Sequence, residues 1–196
     1  MNFFVTAQQD GKKLMQFTIK GLTNSQSHGI IKLQKGKEMI IMMNRTLVFD
    51  MDGTIADLYK VEGWLEMLRA ENPMPYIIAE PMYDMIELVE LLNELKEIGY
   101  RIAVTSWLSM NSTKEYDKMV RQAKREWLER YQFPYDEIHL VKYGTTKANC
   151  TRRKGGHQIL VDDNEKVRKG WTLGETINAN ENIIEKLVEL LVAEYE

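Results

Sequence analysis

The stretch Leu47-Val-Phe-Asp-Met-Asp-Gly-Thr54 decides how the rest of the chain is read. An apolar run stops at two aspartates one residue apart, and a glycine and a threonine follow. The run has the length and composition of a short buried strand. Asp52-Gly53 alone is a common turn signal. Asp50 is different, because it follows the apolar strand directly and precedes a second acid. Two like charges at the end of a buried strand repel one another unless a positive group joins them. The remaining strand ends are therefore the place to look.

From Thr46 onward, strand-like and helix-like segments alternate. Leu47–Phe49, Arg101–Thr105, Glu137–Val141, Gln158–Val161 and the short Thr176–Asn178 read as strands. Pro81–Ile98 reads as a helix, with Met82, Met85, Ile86, Val89, Leu92 and Leu95 at three-and-four spacing and Gly99 as its stop. Ser112-Thr-Lys-Glu115 has the form of a capping box. It opens a helix with Tyr116, Val120, Ala123, Trp127 and Tyr131 on one stripe, and with Lys118, Arg121, Lys124 and Arg125 as a solvated basic face. Asn182–Glu194 reads as a closing helix with Ile183, Ile184, Leu187, Val188 and Leu191 inward. Strands alternating with helices predict an α/β, Rossmann-like parallel sheet with helices on both faces. Ligands of such sheets sit at the carboxyl ends of the strands.

Residues 1–44 stand apart from this pattern as an N-terminal extension. They hold six lysines against Asp10 and Glu38, whereas 39–196 hold 20 basic and 27 acidic residues, a net charge of -7. Phe3–Ile19 fits a hairpin turning at Asp10-Gly11, with a loop at Asn24–His28. A second expectation is a leader outside the working protein, since Gly36-Lys-Glu-Met-Ile-Ile-Met-Met43 offers three methionines just before the first strand. The full chain of 196 residues is long enough for one core, and its net charge of -3 gives no bulk signal for nucleic acid. No apolar run reaches the roughly 18 residues needed to span a membrane. The single cysteine, Cys150, cannot form an internal disulfide and fits a reducing cytoplasm.

Four strand ends carry polar groups: Asp50-Met-Asp52-Gly-Thr54, Thr105-Ser106, Lys142-Tyr-Gly-Thr-Thr-Lys147 and Asp162-Asp163-Asn164. In a parallel sheet they converge on one crevice. The set suggests phosphoryl transfer with a carboxylate nucleophile and a divalent cation. Asp50 would attack phosphorus, and Asp52 would protonate the leaving oxygen and later activate water. Gly53 permits a tight turn whose backbone N–H groups, with Thr54, approach phosphate. Thr105 or Ser106 would donate to the phosphoryl group, with Ser106 favoured because Thr105 still belongs to the strand. Lys147 or Lys142 would neutralise charge, with Lys147 favoured and Lys154 a distant third. Asp162 and Asp163, with Asp50 and Asp52, would form an oxygen shell suited to Mg²⁺.

In this order, Asp50-Met-Asp-Gly-Thr54, Val104-Thr-Ser106, a downstream lysine and Val161-Asp-Asp163 resemble the four motifs of the haloacid-dehalogenase-like (HAD) hydrolases. The resemblance covers about residues 45–180. It implies a phosphatase rather than a dehalogenase, because an acid at the position of Asp52 marks the phosphatases and phosphotransferases. It is similar as well to the 5'-nucleotidase branch and to small bacteriophage HAD-like proteins. Members often carry a substrate-reading cap after the first motif. Here residues 55–80 leave room only for one short helix, Val61–Ala70, and a loop with Pro73 and Pro75. So small a cap implies an open site, or one closed by a second subunit. The substrate implied is a small phosphate ester, such as a nucleotide, or the end of a polynucleotide. Trp107 either stacks on a substrate ring or packs at the rim.

Overall fold

Five parallel strands carry the polar strand ends to one place. The structure is a computed structural model that describes residues 2–7, 13–18, 28–32, 45–151 and 156–194. Near the N-terminus, β1 (Asn2–Ala7), β2 (Lys13–Thr18) and β3 (His28–Lys32) form an antiparallel sheet of their own in that order. β1 and β2 pair with Phe4 opposite Gln16. The expected Asp10-Gly11 turn, residues 24–27 and the methionines at 39, 42 and 43 lie outside the described residues. β3 begins at His28, where a loop was expected, and its Ile30-Ile31 pair supplies β-branched residues suited to a strand.

The larger sheet consists of β4 (Thr46–Phe49), β5 (Arg101–Trp107), β6 (Glu137–Val141), β7 (Gln158–Asp162) and β8 (Thr176–Asn178). Its spatial order is β6-β5-β4-β7-β8, and every neighbouring pair is parallel. The chain therefore builds outward from β4 in one direction and then returns to build from β7 in the other. The crevice between the ends of β4 and β7 is the topological switch point of this Rossmann-like sheet.

Both faces of the sheet are covered, which is why its strands read as nearly continuous apolar runs. On one face Leu47, Phe49, Ile102, Val104 and Val161 pack against α3 (Met85–Glu97), α4 (Lys114–Arg130) and α6 (Ile183–Ala193). On the other, Val48, Ala103 and Leu160 meet Trp171 and Val167 of α5 (Glu165–Lys169). α3 starts later than the periodicity predicted, because the Asp84 side chain caps it by accepting from the N–H groups of Ile86 and Glu87. Its buried stripe is Met85, Leu88, Leu91, Leu92 and Leu95, and Ile86 is turned out at 73% exposure. α4 is capped by Thr113 instead of Ser112; the Thr113 hydroxyl accepts from the Tyr116 N–H.

The segment after β4 is a small cap. A 3-10 turn at Leu58–Lys60 leads into α1 (Trp64–Arg69) and α2 (Met74–Ile78). α2 lies where a proline-bearing loop was expected. Pro75 sits in its first turn, where a missing N–H costs nothing. The cap shares a core with α4, built from Leu58, Tyr76, Leu108, Tyr116, Val120 and Ala123. Tyr116 donates to the Asn72 carbonyl at 3.0 Å, and Glu71 accepts from both the N–H and the hydroxyl of Thr113 at 2.7 Å. Among the described residues, no helix is long and apolar enough to cross a membrane.

Candidate active site

The end of β4 delivers Asp50 into the switch-point crevice. Its N–H continues the ladder by donating to the Val161 carbonyl at 2.9 Å. One residue further, the chain turns back on itself: the N–H groups of Thr54, Ile55 and Ala56 all donate to Met51 O, and the Gly53 N–H donates to Ala56 O at 2.8 Å. Gly53 has φ +75, and an added Cβ would lie 2.5 Å from the Tyr59 ring and 2.8 Å from Asp163 Oδ2. Only glycine fits there. Its N–H is spent inside the turn, so Gly53 shapes the loop and does not present that donor to phosphate.

Two lysines divide the carboxylates between them. Lys147, in a 3-10 turn at Lys147–Asn149, is buried and reaches Asp50 Oδ2 at 2.8 Å and Asp162 Oδ2 at 2.7 Å. Lys124, on α4, is fully enclosed and donates to Asp52 Oδ2 at 2.5 Å, Ser106 Oγ at 2.9 Å and the Trp107 carbonyl at 2.9 Å. Ala148 packs on the Val48 face of the sheet, whereas Trp127 and Leu128 of α4 pack on the Phe49 face. The two ammonium groups thus approach the strand ends from opposite sides.

Lys124 corrects the expectation of a solvated basic face on α4. The signal was present in the sequence: Lys124 lies four residues after Val120 and eight after Tyr116, on the inward stripe itself. Its charge concealed it. Lys142, the alternative to Lys147, is exposed on the surface, and Lys154 lies outside the described residues.

Of the four carboxylates expected to share a cation, three cluster. Oxygens of Asp50, Asp162 and Asp163 lie within 4.8 Å of one another, and Asp52 is turned away to Lys124. Asp162 is fully buried, with Oδ1 accepting the Asn164 N–H at 2.8 Å and Oδ2 facing Lys147. Asp163 is held by Thr54, whose hydroxyl accepts its N–H at 3.1 Å and donates to its Oδ1 at 3.4 Å. Thr54 is wholly buried in that role and ties the loop after β7 to the turn after β4. Arg168 braces the loop by donating to the carbonyls of Asp162 and Asp163 at 2.7 Å each. Asn164 caps α5 by accepting from the N–H groups of Lys166 and Val167.

Burial raises the pKa of Asp162 to about 6, aided by the charge of Asp50 and opposed by Lys147. Burial, with Asp50 again, also raises Asp163. Asp52 is raised chiefly by burial, against the pull of Lys124. Burial pulls Lys147 down, but Asp50 and Asp162 outweigh it and hold its pKa above the usual value. Asp50 Oδ1 is buried and carries no hydrogen bond. A buried carboxylate oxygen left bare costs stability unless a partner arrives. Two further carboxylates beside it make that partner electropositive, so the donor set fits a divalent cation of the oxygen-loving kind.

Strand alternation sorts the two hydroxyls of β5. Thr105 follows Ala103 on the Asp50 and Lys147 side, and its buried Oγ1 has no hydrogen-bond partner. Ser106 lies on the opposite side with Lys124 and Asp52. Both hydroxyls flank the crevice, where the sequence favoured Ser106 alone. Trp107 packs around Lys147: its ring centroid is 5.3 Å from Nζ and 4.9 Å from the Tyr143 ring, and its Nε1 donates to the Thr145 carbonyl at 2.8 Å. Across the crevice, Tyr59 stands 5.0 Å from Trp64. One surface pocket, of about 460 Å³, runs along the charged outer face of α4. Another, of about 180 Å³, opens beside Trp107 and Lys147. None of the clustered carboxylates lines either one, so neither is the reaction crevice.

No family model matches the chain, and no curated protein matches it. Among solved structures, it is similar to the crystal structure of D,D-heptose 1,7-bisphosphate phosphatase from Burkholderia thailandensis. That likeness has a TM-score of 0.48 at 13% identity and covers 75% of this chain and 98% of that one.

Proposed function

We propose that this chain is a phosphomonoester hydrolase that works through an aspartyl phosphate on Asp50, as the resemblance of its motifs to the HAD-like hydrolases implies. The observation that carries the proposal is the state of Asp50: one oxygen bound to Lys147, the other buried and bare at the switch point of the sheet. Nothing in packing asks for that arrangement. A nucleophile needs it, because the attacking oxygen must be ionised and free.

Asp50 attacks phosphorus as the bond to the leaving alcohol breaks, and Asp52 gives that alcohol its proton. Asp52 then takes a proton from water as the water oxygen attacks phosphorus and Asp50 is released. Lys147 fixes Asp50 through its Oδ2 and offsets charge there, and Thr105 and Ser106 supply donors for the phosphoryl oxygens. Asp50, Asp162 and Asp163 would hold Mg²⁺, which supplies charge neutralisation at the phosphoryl group. The aromatic pairs Tyr59–Trp64 and Trp107–Tyr143 flank the crevice, which favours a ring-bearing ester such as a nucleotide or a polynucleotide end.

The test is phosphate release from a panel of nucleotides, sugar phosphates and 3'- and 5'-phosphorylated oligonucleotides, with Mg²⁺ and with chelator. Release that needs Mg²⁺ and vanishes in Asp50→Asn is expected. No release from any compound by the wild-type protein would sink the proposal.

A further inference from the structure

Lys124 is the buried charge to which the reaction above gives no task. An ammonium group enclosed beneath α4 is expensive, and its neighbours Val120, Ala123, Trp127 and Leu128 show that the site is otherwise built for apolar side chains. Replacing a buried ion pair by apolar residues is often neutral or stabilising, so stability alone does not account for a lysine here. Its geometry does. Nζ has three protons and three acceptors in Asp52 Oδ2, Ser106 Oγ and the Trp107 carbonyl, with the Tyr76 ring 4.9 Å away. Two of the three acceptors are side chains that the proposed reaction uses.

We infer that Lys124 is the positioning residue of the proton-transfer half of the site. This rests on the hydrolase function proposed above. The ammonium pins Asp52 Oδ2 away from the Asp50, Asp162 and Asp163 cluster, so the acid stays out of the cation's reach. It leaves Oδ1 to carry the proton that passes to the leaving alcohol. It also occupies a lone pair of Ser106, which commits that hydroxyl's one proton to an acceptor in the crevice. Lys147 serves the cation side and Lys124 the proton side, and the two tasks do not compete for one carboxylate.

The experiment compares Lys124→Met and Lys124→Gln with the wild type on two esters, p-nitrophenyl phosphate and an alkyl phosphate. A nitrophenolate leaves with little help from an acid, whereas an alkoxide needs its proton. We expect kcat/KM, which reports the step that expels the alcohol, to fall about 100-fold or more on the alkyl ester and less than about 10-fold on the nitrophenyl ester. The double variant Asp52→Asn/Lys124→Met should lose far less on the alkyl ester than the product of the two single losses, because the lysine acts mainly through that aspartate. Lys124→Gln keeps two donors without the charge, and it serves if the methionine variant does not fold. Equal losses on both esters, or additive losses in the double variant, would overturn the inference and leave the hydrolase proposal standing. A wild-type protein that hydrolyses neither ester overturns both.

Discussion

Replacing Lys147 by methionine removes one buried cation from between two buried carboxylates. Nζ lies 2.8 Å from Asp50 and 2.7 Å from Asp162, and the side chain is 1% exposed. Even with the lysine present Asp162 titrates at about 6, so keeping it ionised at neutral pH costs on the order of 2–3 kcal/mol. Its folded pKa is above the unfolded value, so its favourable contribution is present below about pH 4 and lost as pH rises through 6. Without Lys147 that pKa climbs further. The variant should therefore lose less stability at pH 5, where Asp162 takes up a proton and only Asp50 is left without its partner, than at pH 8, where the loss should be about 3–5 kcal/mol. For a chain of this size that is roughly 6–20 °C in Tm. Thermal melts in chelator at the two pH values measure it, and adding Mg²⁺ at pH 8 should recover more stability in the variant than in the wild type. An equal Tm deficit at pH 5 and pH 8, or none at either, would refute this account of the carboxylate cluster.

Thr54→Val removes both hydrogen bonds to Asp163 and should weaken Mg²⁺ binding roughly 10-fold or more, read by calorimetry, because the loop loses its brace. Gly53→Ala puts a Cβ against Tyr59 and Asp163 at positive φ, and should cost about 1–3 kcal/mol in denaturant titration. Asp136 accepts the Ile102 N–H and the Lys96 ammonium, both at 2.8 Å. Burial pushes its pKa up, but those donors outweigh burial and lower it. Asp136→Asn should cost about 1–3 kcal/mol at pH 7, with the deficit shrinking below about pH 4 as the wild-type carboxylate is protonated through its folded pKa.

The fold was legible wherever one period governed a segment. The four strands before the polar strand ends, three of them buried and β6 half-buried, and the α6 stripe Ile183, Ile184, Leu187 and Leu191, appear where the sequence announced them. Boundaries were less legible, because a cap is a contest among neighbouring side chains. Asp84 displaced the start of α3, and Thr113 took the place of Ser112 because Glu71, 42 residues away, holds it. The crevice acids could be placed from their strand ends alone. Lys124 could not, because reading a lysine as exposed is correct until a buried acid asks for it. Gly53 makes the tight turn the sequence predicted, whereas the bond from the Thr54 hydroxyl to Asp163, 109 residues away, has no local signal.

The same long-range contacts bear on how a substrate is admitted. To swing away from α4, the cap would have to expose Leu58 and Tyr76 and break the contacts of Asn72, Glu71 and Tyr76 with Tyr116, Thr113 and Ser109. Two large apolar side chains and four hydrogen bonds together resist that by on the order of 5–10 kcal/mol. An opened state would then be held by fewer than about one molecule in a thousand. These contacts favour a cap that works as a wall of the crevice and not as a lid. Substrates must fit between two stationary aromatic pairs, and turnover should not wait on cap motion. Cross-linking α2 to α4 through engineered cysteines should accordingly leave kcat within about 2-fold of the reduced protein, whereas an enzyme gated by its cap would lose most of its turnover.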